Sequence, residues 1–341
     1  MSAGGKIVPI AGRARRRRVP APEEEALRQR LAELEKELAA TRSEREREGL
    51  VVTLARVAQA GTRGLSWASL ARLQRAMYFA WHSEENDEFG ADKRFAETLE
   101  PILQFLYAIW WRVETTGTEN VPSTGPGLIV ANHSGVLPYD GLMVQLAVRH
   151  EHPARRTCRM LALDMFALLP VLAPLLAKSG SVRANPENAE RLLRKGELLG
   201  VFPEGVKGVG KYYRDRYRLA RFGRGGFVRI ALRTGTPIIP CAVVGAEEIH
   251  PIMAKADWVG KPFGLPYFPL TPTFPWLGPL GVLPLPTKWS IDFSDAIDLS
   301  AYGPEGAEDP ILVNRISEEV RSTIQKMVDG RLARRRSVWF G

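Results

Sequence analysis

The sequence predicts an α/β domain preceded by helices, and two contrasting textures carry that expectation. After Gly117, the short apolar runs GLIVAN (127–132), LLGVFPEG (198–205) and TPIIPCAVVG (236–245) alternate with helix-like stretches at 140–150 and 187–195. That alternation is the pattern of buried strands joined by crossover helices. Before it, residues 23–60 are rich in Ala, Glu, Leu and Arg, and Leu27, Leu31, Leu34 and Leu38 recur at helical steps.

In chain order, residues 1–20 are rich in Gly, Pro and Arg and end in the run Arg15 to Arg18, which predicts a disordered basic arm. Residues 21–90 read as a helical region. Its leucine stripe lasts under two heptads, enough for a helix that packs on its own protein or pairs weakly with a second copy. The polar stretch SEENDEFG (83–90) closes that region at Gly90, and a helix over 92–112 follows with Phe95, Leu99, Ile102, Leu103, Leu106 and Trp110 on one side. The α/β domain spans 91–310, and a C-terminal helix with a basic tail occupies 311–341.

At 341 residues, 45% hydrophobic and 25% charged, the chain has material for one large core with appendages, or for two small domains. Its formal net charge of +9 calls for an acidic partner: nucleic acid, an anionic membrane surface or a phosphorylated substrate. Cys158 and Cys241 lie far apart without a CxxC, which fits a reducing compartment and argues against a zinc site. The N-terminus puts its charge cluster after a short, broken apolar run, the reverse of a secretory signal, so the expected location is the cytoplasmic side. The apolar run 161–177 contains Asp164, Pro170 and Pro174 and is too interrupted for a membrane span. Between Pro262 and Pro286, Tyr267, Phe268, Phe274 and Trp276 scattered among prolines predict a rigid aromatic surface or pocket wall that meets a membrane or an acyl chain.

The chemistry concentrates in VANHSGVLPYD (130–140). Val130 and Ala131 end a buried strand, His133 lies on the exit loop, Gly135 permits a sharp turn, and Pro138 suits the first turn of the next helix. Seven residues of continuous helix would hold His133 and Asp140 about 10 Å apart. A chain folded back at Gly135 lets the carboxylate meet the imidazole. Such an Asp fixes the tautomer and stabilises the imidazolium, leaving the other ring nitrogen to take a proton from a substrate. No GxSxG is present and neither cysteine has a basic partner in sequence, so the attacking group is expected to be the substrate's own hydroxyl. The bland reading is a polar turn at a strand end.

The surrounding blocks resemble the glycerolipid acyltransferase superfamily, whose members include lysophosphatidic acid acyltransferases and the more distant mono- and diacylglycerol acyltransferases. ANHSGVLPYDG is similar to that family's first block, GSVRA (180–184) to its second, VFPEGVKG (201–208) to its third and TPIIPCAVVG to its fourth, in the family's order. Two departures stand out. The family commonly has four residues between His and Asp where this chain has six, which keeps Asp164 as a distant substitute for Asp140, and its third block usually continues Thr-Arg where Val206 and Lys207 stand here.

The resemblance implies a mixed sheet flanked by helices and transfer of a fatty acyl group from acyl-CoA or acyl carrier protein to a lipid hydroxyl, with no bound cofactor. On that basis His133 is the general base and Asp140 orients it. Glu204 and Gly205 position the acceptor, and Arg183 holds a phosphate, its alternative being an ordinary surface arginine. The implied acceptor is a lysophospholipid, most simply 1-acylglycerol 3-phosphate. A mono- or diacylglycerol is the enzymatic alternative, and a non-catalytic basic membrane or nucleic-acid binding protein is the alternative of another class.

Residues 207–233 carry nine Lys or Arg, Lys207 and Lys211 among them, against the single acid Asp215. Interleaved with aromatics, this cluster would suit nucleic acid by composition alone, and equally phospholipid headgroups or the phosphates of CoA. Placed just after the third block, it predicts a phosphate-binding face that includes Lys207 and Lys211, with nucleic acid the less fitting partner. The tail 330–341 joins basic residues to Trp339 and Phe340, which suits either a bilayer interface or a frayed solvent tail. The expected setting is peripheral or monotopic, on the cytoplasmic face of a membrane.

Overall fold

The computed structural model describes residues 86–135, 137–162, 172–260 and 267–341, together with a few single positions ahead of residue 83. The chain divides into two compact units, Met1–Arg56 and Val57–Gly341. In the first, Gln29, Arg30 and Glu33 are helical and Arg30 pairs with Glu33 at 3.0 Å. The basic arm, the leucine stripe and Asp164 lie outside the described residues.

The second unit is built on a seven-stranded sheet. Its strands in chain order are β1 (Glu114–Thr116), β2 (Gly127–Ala131), β3 (Cys158–Ala162), β4 (Val182–Arg183), β5 (Leu198–Val201) and β6 (Ile238–Val244). A small antiparallel pair outside the sheet, β7 (Ala254–Lys255) and β8 (Pro269–Leu270), precedes the last strand, β9 (Ser290–Phe293). The spatial order is β1-β9-β6-β2-β5-β3-β4, and only β6 and β9 run antiparallel, so the sheet is mixed as expected. The helices are α1 (Lys93–Phe105), α2 (Tyr139–Glu151), α3 (Leu172–Lys178), α4 (Pro186–Arg194), α5 (Val206–Val209), α6 (Gly226–Thr234), α7 (Asp257–Gly260) and α8 (Pro310–Arg334).

The continuous apolar runs are explained by cover on both faces. Every residue of β2 is buried: Leu128 and Val130 face a core shared with α4, α6 and α8, while Ile129 and Ala131 face a second core with α2, Trp111 and Trp289. The helix expected over 92–112 is α1, capped by Asp92, whose carboxylate accepts from the Phe95 N–H, and it continues through one π-turn at Leu106–Trp110. Strands β1, β4 and β9 have two to four residues each and left no periodic trace to read.

Segment 311–341 does not stand apart from the domain assigned to 91–310. Val313, Ile316, Val320, Ile324 and Val328 form a helical stripe buried in the same core as β6. The residues after α8 fold back on the body and are not frayed: Arg335 pairs with Glu248 at 2.6 Å, and Arg112 donates to the Trp339 carbonyl at 2.6 Å. The aromatic surface expected of Tyr267, Phe268, Phe274 and Trp276 is divided. Tyr267 is buried with its hydroxyl on the Val209 carbonyl, Phe268 and Phe274 pack ring to ring at 5.2 Å, and Trp276 points outward. Among the described residues no helix is long and apolar enough to cross a membrane.

Candidate active site

Strands β2, β5 and β6 are adjacent and parallel, so their exits converge at the carboxyl edge of the sheet, where α/β proteins hold their ligands. Asn132, the first residue past β2, extends the pairing with its side chain. Its amide nitrogen donates to the Val243 carbonyl at 2.9 Å and its oxygen accepts the Val243 N–H at 2.8 Å. This buried amide fixes the start of the loop, a role the sequence reading did not assign to it.

The chain then turns at Gly135, whose φ of 89° suits glycine, and enters α2. Asp140 in the first turn of α2 reaches back so that its Oδ2 lies 2.7 Å from His133 Nδ1. The same oxygen accepts the Ser134 N–H at 2.9 Å, and Oδ1 accepts the Gly141 N–H at 2.8 Å. The six intervening residues therefore leave the carboxylate on the imidazole. With the carboxylate ionised, Nδ1 carries the proton and Nε2 presents a lone pair. Phe202, at the exit of β5, stacks on the ring at 4.3 Å and 13°, limiting its rotation.

Glu204 and Lys211 are placed differently from the expectation that they bind the acceptor. The Glu204 side chain is fully buried and both oxygens are occupied: Oε1 accepts the His133 main-chain N–H at 2.9 Å, and Oε2 accepts the Ala220 N–H at 2.6 Å and Lys211 Nζ at 3.0 Å. Lys211 is nearly buried and its ammonium also pairs with Glu247 Oε1 at 3.1 Å. These side chains hold the site together from behind, their contacts directed at one another and at the main chain. Burial alone would lower the Lys211 pKa, but the flanking carboxylates of Glu247 and Glu204 override it and raise it. Glu247 is pushed up to about 7, by burial first, against the pull of Lys211 and the Tyr217 N–H. One ammonium thus serves two carboxylates, and Glu247 is the one less well compensated.

Gly205 adopts φ 56° and ψ −140°, a conformation that essentially excludes a Cβ, and it opens the short helix α5. Lys207 in that helix is exposed. Gly208 lies against the catalytic-edge backbone: a Cβ there would fall 2.7 Å from His133 Cβ and 2.9 Å from Glu204 Cβ. Gly208→Ala is expected to cost about 1–3 kcal/mol of stability through overpacking and to lower turnover, as urea denaturation and an activity assay will show.

His133 opens onto a groove of about 560 Å³, part of it open to solvent, lined by Leu142, Met160, Leu161, Leu176, Val201 and Phe202 among others. Ser181 and Ala184 also line it, and Arg183 between them is exposed at the end of β4. No cysteine nucleophile is available here. Cys158 and Cys241 are fully buried, and burial raises the first thiol to about 12 and the second well above its ordinary value. The arrangement suits a base acting on a hydroxyl brought by the substrate.

An acyltransferase family model matches residues 112–244, from two residues before β1 to the end of β6. An uncharacterized protein of Mycobacterium tuberculosis is 50% identical over 256 residues, covering 75% of this chain and 72% of its own. The human "DGAT1/2-independent enzyme synthesizing storage lipids" is 26% identical over 225 residues, covering 65% of this chain and 62% of its own. The crystal structure of the 1-acyl-sn-glycerophosphate (LPA) acyltransferase PlsC from Thermotoga maritima aligns with a TM-score of 0.46 at 18% identity, over 86% of this chain and 99% of that one. With the acyltransferase match falling on the strands that lead to His133 and Glu204, the chain belongs to the glycerolipid acyltransferase superfamily and is an acyltransferase.

Proposed function

We propose that the enzyme moves a fatty acyl group from an acyl thioester, acyl-CoA or acyl carrier protein, to the hydroxyl of a lysophospholipid, most simply 1-acylglycerol 3-phosphate, drawn from an anionic membrane surface on the cytoplasmic side. The observation that carries this reading is the His133–Asp140 pair at 2.7 Å opening onto an apolar groove. His133 Nε2 takes the hydroxyl proton as the oxygen attacks the thioester carbonyl, and Asp140 stabilises the imidazolium that forms. Collapse of the tetrahedral intermediate breaks the C–S bond, and the imidazolium returns its proton to the departing thiolate. No bound cofactor enters the balance. Arg183, exposed at the end of β4, is assigned to the acceptor's phosphate, with exposed Lys207 as a further cation.

A neutral acceptor, mono- or diacylglycerol, is the second reading. It is favoured by the withdrawal of Lys211 into its carboxylate pair and by the storage-lipid activity named for the human relative. Purified protein given acyl-CoA and acyl carrier protein donors with a panel of lysophospholipids and glycerides, read by mass spectrometry, separates the two. The expected product is a diacyl phospholipid, absent with His133→Ala. Product formation unchanged by that substitution would sink the mechanism. Arg183→Gln is expected to raise KM for the phosphorylated acceptor about tenfold to 100-fold, as loss of a charge-assisted hydrogen bond predicts, and to leave glyceride kinetics unchanged.

A further inference from the structure

We infer that the small lobe formed by residues 253–260 and 267–285 is the face the protein lays against a lipid bilayer, an inference resting on the proposed reaction only in taking the acceptor to be a membrane lipid. Trp258 is 79% exposed and Trp276 72%, and Met253, Leu277, Leu280 and Leu283 are each more than half exposed. From residue 262 to 287 the sequence contains no charged side chain. Single exposed apolar residues are ordinary on a protein surface, but six large ones on one lobe are not.

The lobe holds these side chains out on a braced backbone. Strands β7 and β8 pair Ala254 with Leu270 and Lys255 with Pro269, the Met253 N–H donates to the Leu270 carbonyl at 2.9 Å, and Trp276 Nε1 donates to the Thr271 carbonyl at 3.2 Å. Beneath them Phe268 and Phe274 pack together, so the outward Trp and Leu residues are surplus to the lobe's own core. The base of the lobe touches the active-site edge. The Tyr267 hydroxyl donates to Val209 in α5 at 3.1 Å, and His250 stacks on Tyr139, the residue before Asp140, at 6.4 Å.

Charge selects a bilayer over a protein. Lys255 sits between the rings of Tyr212 and Tyr267 at 4.6 and 4.7 Å, and the largely exposed Arg214 lies over Tyr212 at 5.1 Å. An apolar patch with indole rings, bordered by these cations together with exposed Asp257 and half-exposed Asp215, matches the layered chemistry of an interface, with acyl chains inside and charged headgroups outside. A second copy docked on a two-fold axis would set these cations against one another.

The test is cosedimentation of the full chain with phosphatidylcholine vesicles, with and without phosphatidylglycerol, for wild type and the double variant Trp258→Ser, Trp276→Ser. High salt suppresses the contribution of the Arg15–Arg18 run. The double variant is expected to bind neutral vesicles at high salt about tenfold or more weakly, since interfacial binding scales with buried apolar area. Phosphatidylglycerol is expected to strengthen wild-type binding at low salt. Turnover of a detergent-dispersed acceptor is expected to be equal for the two proteins. Equal vesicle binding by both would overturn the assignment, as would a wild type that sediments as a dimer without lipid while the double variant is a monomer. Absence of turnover on every acceptor, with vesicle binding still dependent on the two tryptophans, would fail the proposed reaction and leave the surface standing.

Discussion

Asp140→Asn is expected to lower kcat by a factor on the order of 10² to 10⁴ with KM little changed, the range seen when an orienting carboxylate behind a catalytic imidazole loses its charge. The reason lies in the three hydrogen bonds that Asp140 accepts. Oδ1 takes the Gly141 N–H, and Oδ2 takes both the Ser134 N–H and His133 Nδ1. A carboxamide accepts at one position only. If its NH2 faces His133, it donates to Nδ1, drives the proton to Nε2 and removes the lone pair needed for the substrate hydroxyl. If it faces Gly141, two donors oppose each other in a fully buried site. Either outcome also removes the charge that stabilises the imidazolium. Steady-state kinetics at several pH values will check this, with circular dichroism to confirm the fold. An equal loss with Asp164→Asn would reopen the assignment of the orienting residue.

Glu204→Ala is expected to destabilise the domain by about 3–5 kcal/mol, the cost of breaking a buried ion pair from one side. The His133 and Ala220 N–H groups lose their acceptor, and Lys211 keeps only Glu247, whose carboxylate already resists charging in its buried setting. Urea denaturation will measure the loss. Glu204→Gln keeps one acceptor for two main-chain donors and separates the possible roles. A holder of the histidine backbone predicts a lower denaturation midpoint and a fall in kcat. A direct acceptor-binding carboxylate predicts a raised KM with stability intact, and that result would overturn the structural role.

The difference between His133 and Lys211 shows what the sequence exposes. His133 and Glu204 were legible because each sits within three residues of a buried strand's end, and such a strand delivers whatever follows it to the sheet edge. The turn at Gly135 was legible for the same local reason. Part of the basic cluster meets acids that come from elsewhere in the chain, which the run itself does not reveal. Lys211 is neutralised by Glu204 and Glu247, and Arg233 by Glu190 and Glu308, while Arg229 donates to the Ala307 carbonyl. A run of one sign in sequence measures solvent-facing charge only when no acid is folded onto it. The aromatic lobe shows the converse: Tyr267, expected on an aromatic surface or pocket wall, is buried, and its partners Val209 and Gly210 lie more than fifty residues away.

The burial of α8 across β6 has a consequence for the order in which the molecule forms. Strands β2, β5 and β6 leave the ribosome well before the helix that covers one face of them. At about 5–20 residues per second, the interval from the end of β2 to the end of α8 is about 10–40 s. For that time Leu128 and Val130 have α4 and α6 but lack the cover of α8, and Ile238 and Ala242 of β6 lack it for the shorter interval of about 5–20 s. The nascent chain therefore holds an unfinished hydrophobic face until α8 is made, a window in which a chaperone or a neighbouring chain competes for the face that α8 later closes.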